Sequence, residues 1–305
     1  MTSPTVLIDR LPPVMRATVY ALLAAFFFSG MSIFIRLASE ELHPTVIVFF
    51  RNLLALAWMI PWLMSSGLGA MRTQRMGMFG LRAILGLIGM TSGFWAVTLI
   101  PIAQATALSF TSPIFATIGA ALILGEVVRL RRWTAIIIGF WGAMIVVVGN
   151  AGGFGGLGAL EIGVILALVN SVIMAANKLV LKSLTRTESA EAIVTYMVLL
   201  LTPLSLVPAL FFWDWPSLIG FFWLGCLALA GTLGHLCITR AFKAAEVTVV
   251  LPFDFARLPI SALLALLIFS QVPTFWTILG GLVIFAATFY IARREAQLAR
   301  ASASG

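Results

Sequence analysis

The sequence predicts an all-α integral membrane protein, with ten transmembrane helices arranged as two inverted halves of five. Three observations predict it. Almost the whole chain divides into ten apolar blocks of about twenty residues, each long enough to cross the ~30 Å hydrocarbon core of a bilayer as a helix. Of 305 residues, 61% are hydrophobic and only 10% are charged, which leaves almost nothing for a water-soluble domain. The basic residues gather in alternate connections, the bias that marks cytoplasmic loops. The runs are continuously apolar rather than alternating, so helices are favoured over a barrel. They also lack the polar face at helical period that a soluble helix would carry.

The spans are read in order as Thr18–Leu37, Thr45–Met64, Gly77–Thr98, Ile102–Leu124, Trp133–Asn150, Glu161–Leu181, Glu191–Phe211, Ser217–Arg240, Glu246–Phe269 and Thr274–Ala292. The first is read as a span and not a cleaved signal, because it is about twenty residues long, is followed by Arg36 and lacks a small-residue cleavage site. Arg10 and Arg16 precede it, and Glu40 and Glu41 follow it. Arg72, Arg75 and Arg82 introduce the third span, and Arg129, Arg131 and Arg132 the fifth. In the second half Lys178, Lys182 and Arg186 close the sixth span, Arg240 and Lys243 the eighth, and Arg293, Arg294 and Arg300 the tenth. The intervening loops carry Glu40, Glu41, Glu161 and Asp214, with Arg36 their only basic residue, at a helix end. Both termini, residues 1–17 and 294–305, are therefore expected in the cytoplasm, with the chain in the inner (plasma) membrane. The net charge of +8 reads as topology signal and anionic-lipid contact rather than nucleic-acid binding, because its clusters are short and sparse. Cys226 and Cys237 lie eleven residues apart on one helix, about 16 Å, too far for a disulfide.

A glycine-rich external linker, residues 150–160, separates five spans in 18–149 from five in 161–293. An odd number of helices per half places a duplicated half upside down. An internal echo supports duplication: 142 residues apart, Gly89 meets Gly231, Ala103 meets Ala245, Gln104 meets Glu246 and Thr106 meets Thr248, and Trp133-Thr134 returns 143 residues on as Trp276-Thr277. The glycines of the linker form no phosphate loop, since no Lys-Ser/Thr opens a helix after them.

The stretch Gln104-Ala-Thr-Ala-Leu-Ser-Phe-Thr-Ser-Pro-Ile-Phe, with Leu124-Gly-Glu126 and Arg131-Arg-Trp133, resembles the EamA repeat of the drug/metabolite transporter (DMT) superfamily. Gly231-Thr-Leu-Gly-His235, Arg240-Ala241 and Leu251-Pro-Phe-Asp-Phe-Ala-Arg-Leu-Pro259 resemble it in the second half, which departs where Gly-Glu becomes Ser270-Gln271. The resemblance covers about residues 18–293. It implies two inverted five-helix EamA repeats, a central cavity and transport of small metabolites, often amino acids or their derivatives.

Ionisable groups within spans are the first site candidates, because a central Arg or Asp costs about 2.5–3.5 kcal/mol on insertion scales and so faces a partner or a wet cavity. Asp254 and Arg257 share a face of the ninth span at a spacing of three. Two readings stand: a structural ion pair, or a substrate site in which Arg257 holds a carboxylate and Asp254 an amine or a coupling proton. Pro252 and Pro259 flank them, and Pro113 lies at corresponding depth in the fourth span. Helices interrupted at equivalent places in two halves point to a transporter's binding site, although ordinary packing kinks are equally expected. Ser109, Thr111 and Ser112 either line the same cavity or bond their own helix. Arg51 either snorkels to the outer interface or lines the cavity. Asn170 and Asn177, seven apart on the sixth span, bond a neighbouring helix or touch substrate. Gln104 and Glu246 are expected to cap helices, and His235 to pack rather than relay protons. Two separated histidines and no cysteine cluster predict no metal, and no cofactor motif is present.

Together these readings predict a secondary transporter of small polar metabolites working by alternating access between the lipid bilayer's two faces. Amino acids or related compounds, exported, are the first expectation. Uptake of a vitamin or nucleoside-like metabolite is the alternative. No Walker motif supplies ATP-driven power. An integral-membrane enzyme would need paired acids, a metal motif or a Ser/Lys dyad, and a channel would usually show rings from several subunits.

Overall fold

A backbone in hydrocarbon has no water to bond, so every peptide group must find a partner within the chain. The computed structural model describes residues 12–67, 72–112, 114–115, 130–150, 162–245, 250, 253 and 256–303. Among these it contains helices and connections but no strand. The helices are α1 (Pro13–Ala38), α2 (Pro44–Ser66), α3 (Met76–Leu99), α4 (Ile102–Ser109), α5 (Leu130–Asn150), α6 (Ile162–Leu184), α7 (Ala190–Leu210), α8 (Leu218–Ala244), α9 (Arg257–Phe269) and α10 (Phe275–Ala303). Stretches long and apolar enough to cross a membrane occupy α1, α2, α3, α6, α7 and α8, and shorter apolar stretches lie on α5, α9 and α10. The ten described helices follow the ten expected spans in order. The last overruns its expected end at Ala292, because the residues that follow, rich in Ala, Arg, Glu, Gln and Leu, are strong helix formers. Asp254, Pro113, Pro252, Glu246 and residues 151–160 of the expected linker lie outside the described residues.

Helix ends are set by local chemistry. Pro13 and Pro44 open α1 and α2, where a missing N–H costs nothing. His43 caps α2 by accepting from the Thr45 amide, and partial burial pushes its pKa below the ordinary value, which favours the neutral ring. Ser189 and Ser217 cap α7 and α8 through the amides of Ala192 and Gly220. Gln104 was expected to cap the fourth span, but it lies buried inside α4, whose N-cap is Pro101 with no side-chain cap. Instead Gln271 reaches from the far end of α9, its Oε1 accepting from the Ile102 amide at 3.5 Å. α9 ends at Ser270, a left-handed residue with φ 55°, and the Gln271 amide reaches back to Ala265 O in a Schellman-like close.

The packing alternates between halves. α1 packs along α8 and α3 along α6. α9 sits on α1, and α4 on α6. α2 pairs with α7, α4 with α9, and α5 with α10. The α5–α10 crossing is backbone-close: a methyl on Gly280 would come 2.5 Å from Gly142 O, and one on Gly142 would come 2.9 Å from Gly280 O. A hydrophobic core joins Val46, Ile47, Val194, Leu201, Leu224 and Leu227 between α2, α7 and α8. Phe26, Trp58, Ile84, Trp141 and Leu267 are each more than half exposed, an apolar exterior suited to lipid. Cys226 and Cys237 are both free.

Two stability changes follow. Ser270→Gly removes the left-handed strain at a small entropic cost and should stabilise the fold by about 0.5–1 kcal/mol, read as a raised melting temperature in detergent. Gly280→Val should cost about 1–3 kcal/mol by forcing α5 and α10 apart, and an unchanged melting temperature would contradict the crossing.

Candidate functional site

A cavity of about 190 Å³ lies where α1, α3, α4, α6, α7, α8 and α9 converge. Its apolar lining is soft, with Phe28, Met31, Met90, Phe94, Met174 and Met197. Unbranched thioethers adapt to the shape of a ligand, and aromatic rings offer flat faces. The polar groups are Ser32, Arg82, Thr106, Ser109, Ser112, Asn170, Asn177, Lys178, His235 and Arg257. No carboxylate is among the described lining residues. Gly86, Gly89 and Gly93 present one face of α3 to this space, and a methyl on Gly89 would lie 2.6 Å from Met174 Cε. The glycines therefore let α3 and α6 close together beside the cavity.

Arg82 is the best-defined polar group. It is 3% exposed, and its Nη1 donates to Asn177 Oδ1 at 2.6 Å and reaches Asn177 O at 3.5 Å. Its Nη2 lies 3.7 Å from Met197 Sδ, and its Nε has no acceptor. A guanidinium cannot shed its proton in a protein, so this is a fixed positive charge held by an amide. Beside it the Phe28 ring has the Arg257 guanidinium at 5.4 Å and the His235 ring edge-on at 5.1 Å. Ser29 of α1 donates to Arg257 O at 3.3 Å, and Ser171 of α6 donates to Leu108 O at 2.9 Å, tying α9 and α4 to the same core.

α4 changes character at this depth. The amides of Phe110 and Thr111 bond to Ala107 O and Leu108 O, three residues back, so the helix tightens just ahead of Pro113. The residue before a proline disfavours the helical region, and Ser112 occupies that place with its hydroxyl buried and without a partner.

The expected site residues thus divide. Ser109, Ser112, Asn170, Asn177 and Arg257 come together around the cavity. Ser109 and Thr111 also donate to their own helix, at Thr106 O and Leu108 O, and Thr111 is not in the lining. Pro259 lies in the first turn of α9, exposed, where proline needs no kink. Arg51 is a correction: it is 0% exposed, so it does not snorkel, and it is not in the lining. Its Nη1 donates to Asn52 Oδ1 at 2.8 Å, and its fork packs on Gly231, where an added methyl would meet Nη2 at 2.6 Å.

Arg82 and Lys178 were read only as topology signals. A sequence signal for Arg82 existed: Arg82, Gly86, Gly89 and Gly93 recur at spacings of four and three, which puts them on one helical face. Arg82 also lies six residues inside α3, about 9 Å from its start.

Ten largely apolar described helices, seven of them around a cationic and partly aromatic cavity, define a multi-pass membrane protein with room for a small molecule. The EamA-like transporter family matches residues 15–148 and again 161–293, and the chain belongs to it. The riboflavin transporter of Vibrio cholerae serotype O1 is 33% identical over 268 residues, 85% of this chain and 86% of that protein. The S-adenosylmethionine uptake transporter of Rickettsia prowazekii is 26% identical over 287 residues, 94% of this chain and 96% of that one. A crystal structure superposes with a TM-score of 0.66 at 19% identity, covering 91% of this chain and 98% of its own, a likeness of fold.

Asn177→Leu should destabilise the protein by roughly 1–3 kcal/mol, because it strips the acceptor from a buried cation. Arg82→Met combined with Asn177→Leu should recover most of that loss. Additive losses in the double variant would show that the two side chains act independently.

Proposed function

We propose that this protein is a secondary carrier that takes up riboflavin or a closely similar flavin across the inner membrane by alternating access. The observation that carries it is the Arg82–Asn177 pair beside Phe and Met side chains, in a chain one-third identical to a riboflavin transporter. A flavin is flat, uncharged and edged with carbonyl acceptors. Guanidinium and amide donors suit that edge, and Phe28, Phe94 and the methionines suit its faces. S-adenosylmethionine carries a sulfonium cation, which Arg82, Lys178 and Arg257 in the lining would repel. Export of amino acids, the first expectation, gains no support from these relatives' names.

Several observations support two inverted repeats as the frame. The family matches each half separately. The most extensive helix pairings interchange when each of α1–α5 is exchanged with its counterpart among α6–α10. Met76 and Leu218 open α3 and α8 at the 142-residue offset of the sequence echo, whereas Leu99 and Ala244 close them 145 apart, because α8 is longer. In this reading the termini are cytoplasmic, and the end of α1 faces outward. Pro113 and Pro252 are the proposed bending points of the fourth and ninth spans, and Arg257 joins Arg82 at the substrate, with Asp254 three residues earlier on the chain.

Quenching of flavin fluorescence by the purified protein tests the proposal. Riboflavin should quench saturably, S-adenosylmethionine should not compete, and Arg82→Gln should weaken binding by at least about tenfold, the value of one charge-assisted hydrogen bond. Neutralising Asp254 and Arg257 together should abolish riboflavin uptake; uptake near wild type would make that pair structural. Absence of quenching, together with thermal stabilisation by an amino acid, would replace the flavin reading with the export one.

A further inference from the structure

Two basic side chains hold opposite ends of the cavity in the same way. Arg36, two residues before the end of α1, donates through Nη1 to Val97 O at 3.1 Å and Ile100 O at 2.9 Å. Lys182, two residues before the end of α6, donates through Nζ to Phe242 O at 2.8 Å and Ala245 O at 3.0 Å. Ile100 is the C-cap of α3 and Ala245 the C-cap of α8; both are extended, and each amide bonds to the carbonyl four residues back. The second acceptor is in each case the residue three before the cap. A helix leaves its last carbonyls without partners, and its C-terminus favours a cation. The same solution therefore appears twice, on helices that correspond between the halves.

The two sites lie at opposite ends of α3. Arg36 binds its last turn, whereas Lys182 neighbours Ser183, whose carbonyl accepts from Arg75 at the α3 N-cap at 2.7 Å. The 24 residues of α3 span about 36 Å. Val97 and Phe242, whose carbonyls receive the cations, also line the cavity. Arg36 is the one basic residue in the loops expected outside, which the positive-inside bias leaves unaccounted for.

We infer that Arg36 and Lys182 are the paired latches of the carrier's two gates, both engaged in this structure and each released in only one of the open states. The inference rests on the alternating-access reading. Opening the outer end separates the tip of α1 from α3 and breaks the Arg36 bonds while Lys182 holds. Opening the inner end separates α6 from α8 and does the reverse. Loss of a latch thus favours the state in which it is already broken.

The test uses single cysteines lining each end, Ala105→Cys beside the Arg36 latch and Leu181→Cys beside the Lys182 latch, in a Cys226→Ser/Cys237→Ser background. Arg36→Gln should speed maleimide labelling at position 105 by about tenfold and slow it at 181, since one charge-assisted bond shifts a two-state ratio by that factor. Lys182→Gln should do the opposite, and Arg36→Lys and Lys182→Arg should label as wild type. Both probes unchanged, or both faster in both variants, would overturn the latches and leave simple helix caps. Should a Gln variant not fold, a bismaleimide tether between cysteines at Leu37 and Leu99 takes its place. It should stop uptake and protect position 105 while 181 stays reactive; continued uptake would overturn the outer latch. Riboflavin added with both latches intact separates the two readings. Reciprocal changes at 105 and 181 keep alternating access even if the latches fail, whereas probes that rise and fall together reject the carrier itself.

Discussion

An unpartnered peptide group in hydrocarbon costs several kcal/mol, and the rest of this structure is arranged around that cost. It compels helices, and it makes every helix end a point that needs a donor or an acceptor from elsewhere. Gln271 serves the start of α4, and Arg36 and Lys182 serve the ends of α3 and α8. Each of these contacts crosses between halves or between helices far apart in sequence. The closing of backbone bonds is thus also what holds the bundle shut at its ends.

The same cost governs side chains. Two buried guanidiniums are each held by an asparagine, Arg51 by Asn52 and Arg82 by Asn177. They occupy corresponding seams: Arg51 of α2 against Gly231 of α8, and Arg82 of α3 against Met197 of α7. Arg51 and Met197 lie eight residues beyond the N-caps His43 and Ser189, so the charge has moved to the opposite helix in the second seam. The two buried charges thus differ in their surroundings. Only Arg82 reaches the cavity, where an adaptable ligand wall of methionines meets it.

Much of this was legible beforehand. The order of the helices follows from hydrophobic run length, because hydrocarbon thickness sets a minimum that few other constraints imitate. Ser109, Ser112, Asn170, Asn177 and Arg257 were singled out because polar groups within spans are costly and must turn inward. Arg82 was passed over because its basic neighbours Arg72 and Arg75 offered a sufficient explanation, although its register with Gly86, Gly89 and Gly93 was present in the chain. Arg51 was misread because depth along a helix does not say whether a long side chain can reach an interface or is walled in by another helix.

By itself, the amino-acid sequence determined the solvent, the helical class, the order of the apolar helices and many of the polar groups forced inward. These are local or periodic properties, decided by run length, charge spacing and the chemistry of single residues. Tertiary structure alone decided which inward groups meet. That Arg82 finds Asn177, that Arg51 is sealed against Gly231, and that Arg36 and Lys182 reach carbonyls some sixty residues away depend on how helices distant in sequence cross. Crossing geometry is set by side-chain fit between surfaces, and no window along a single chain contains both sides of that fit.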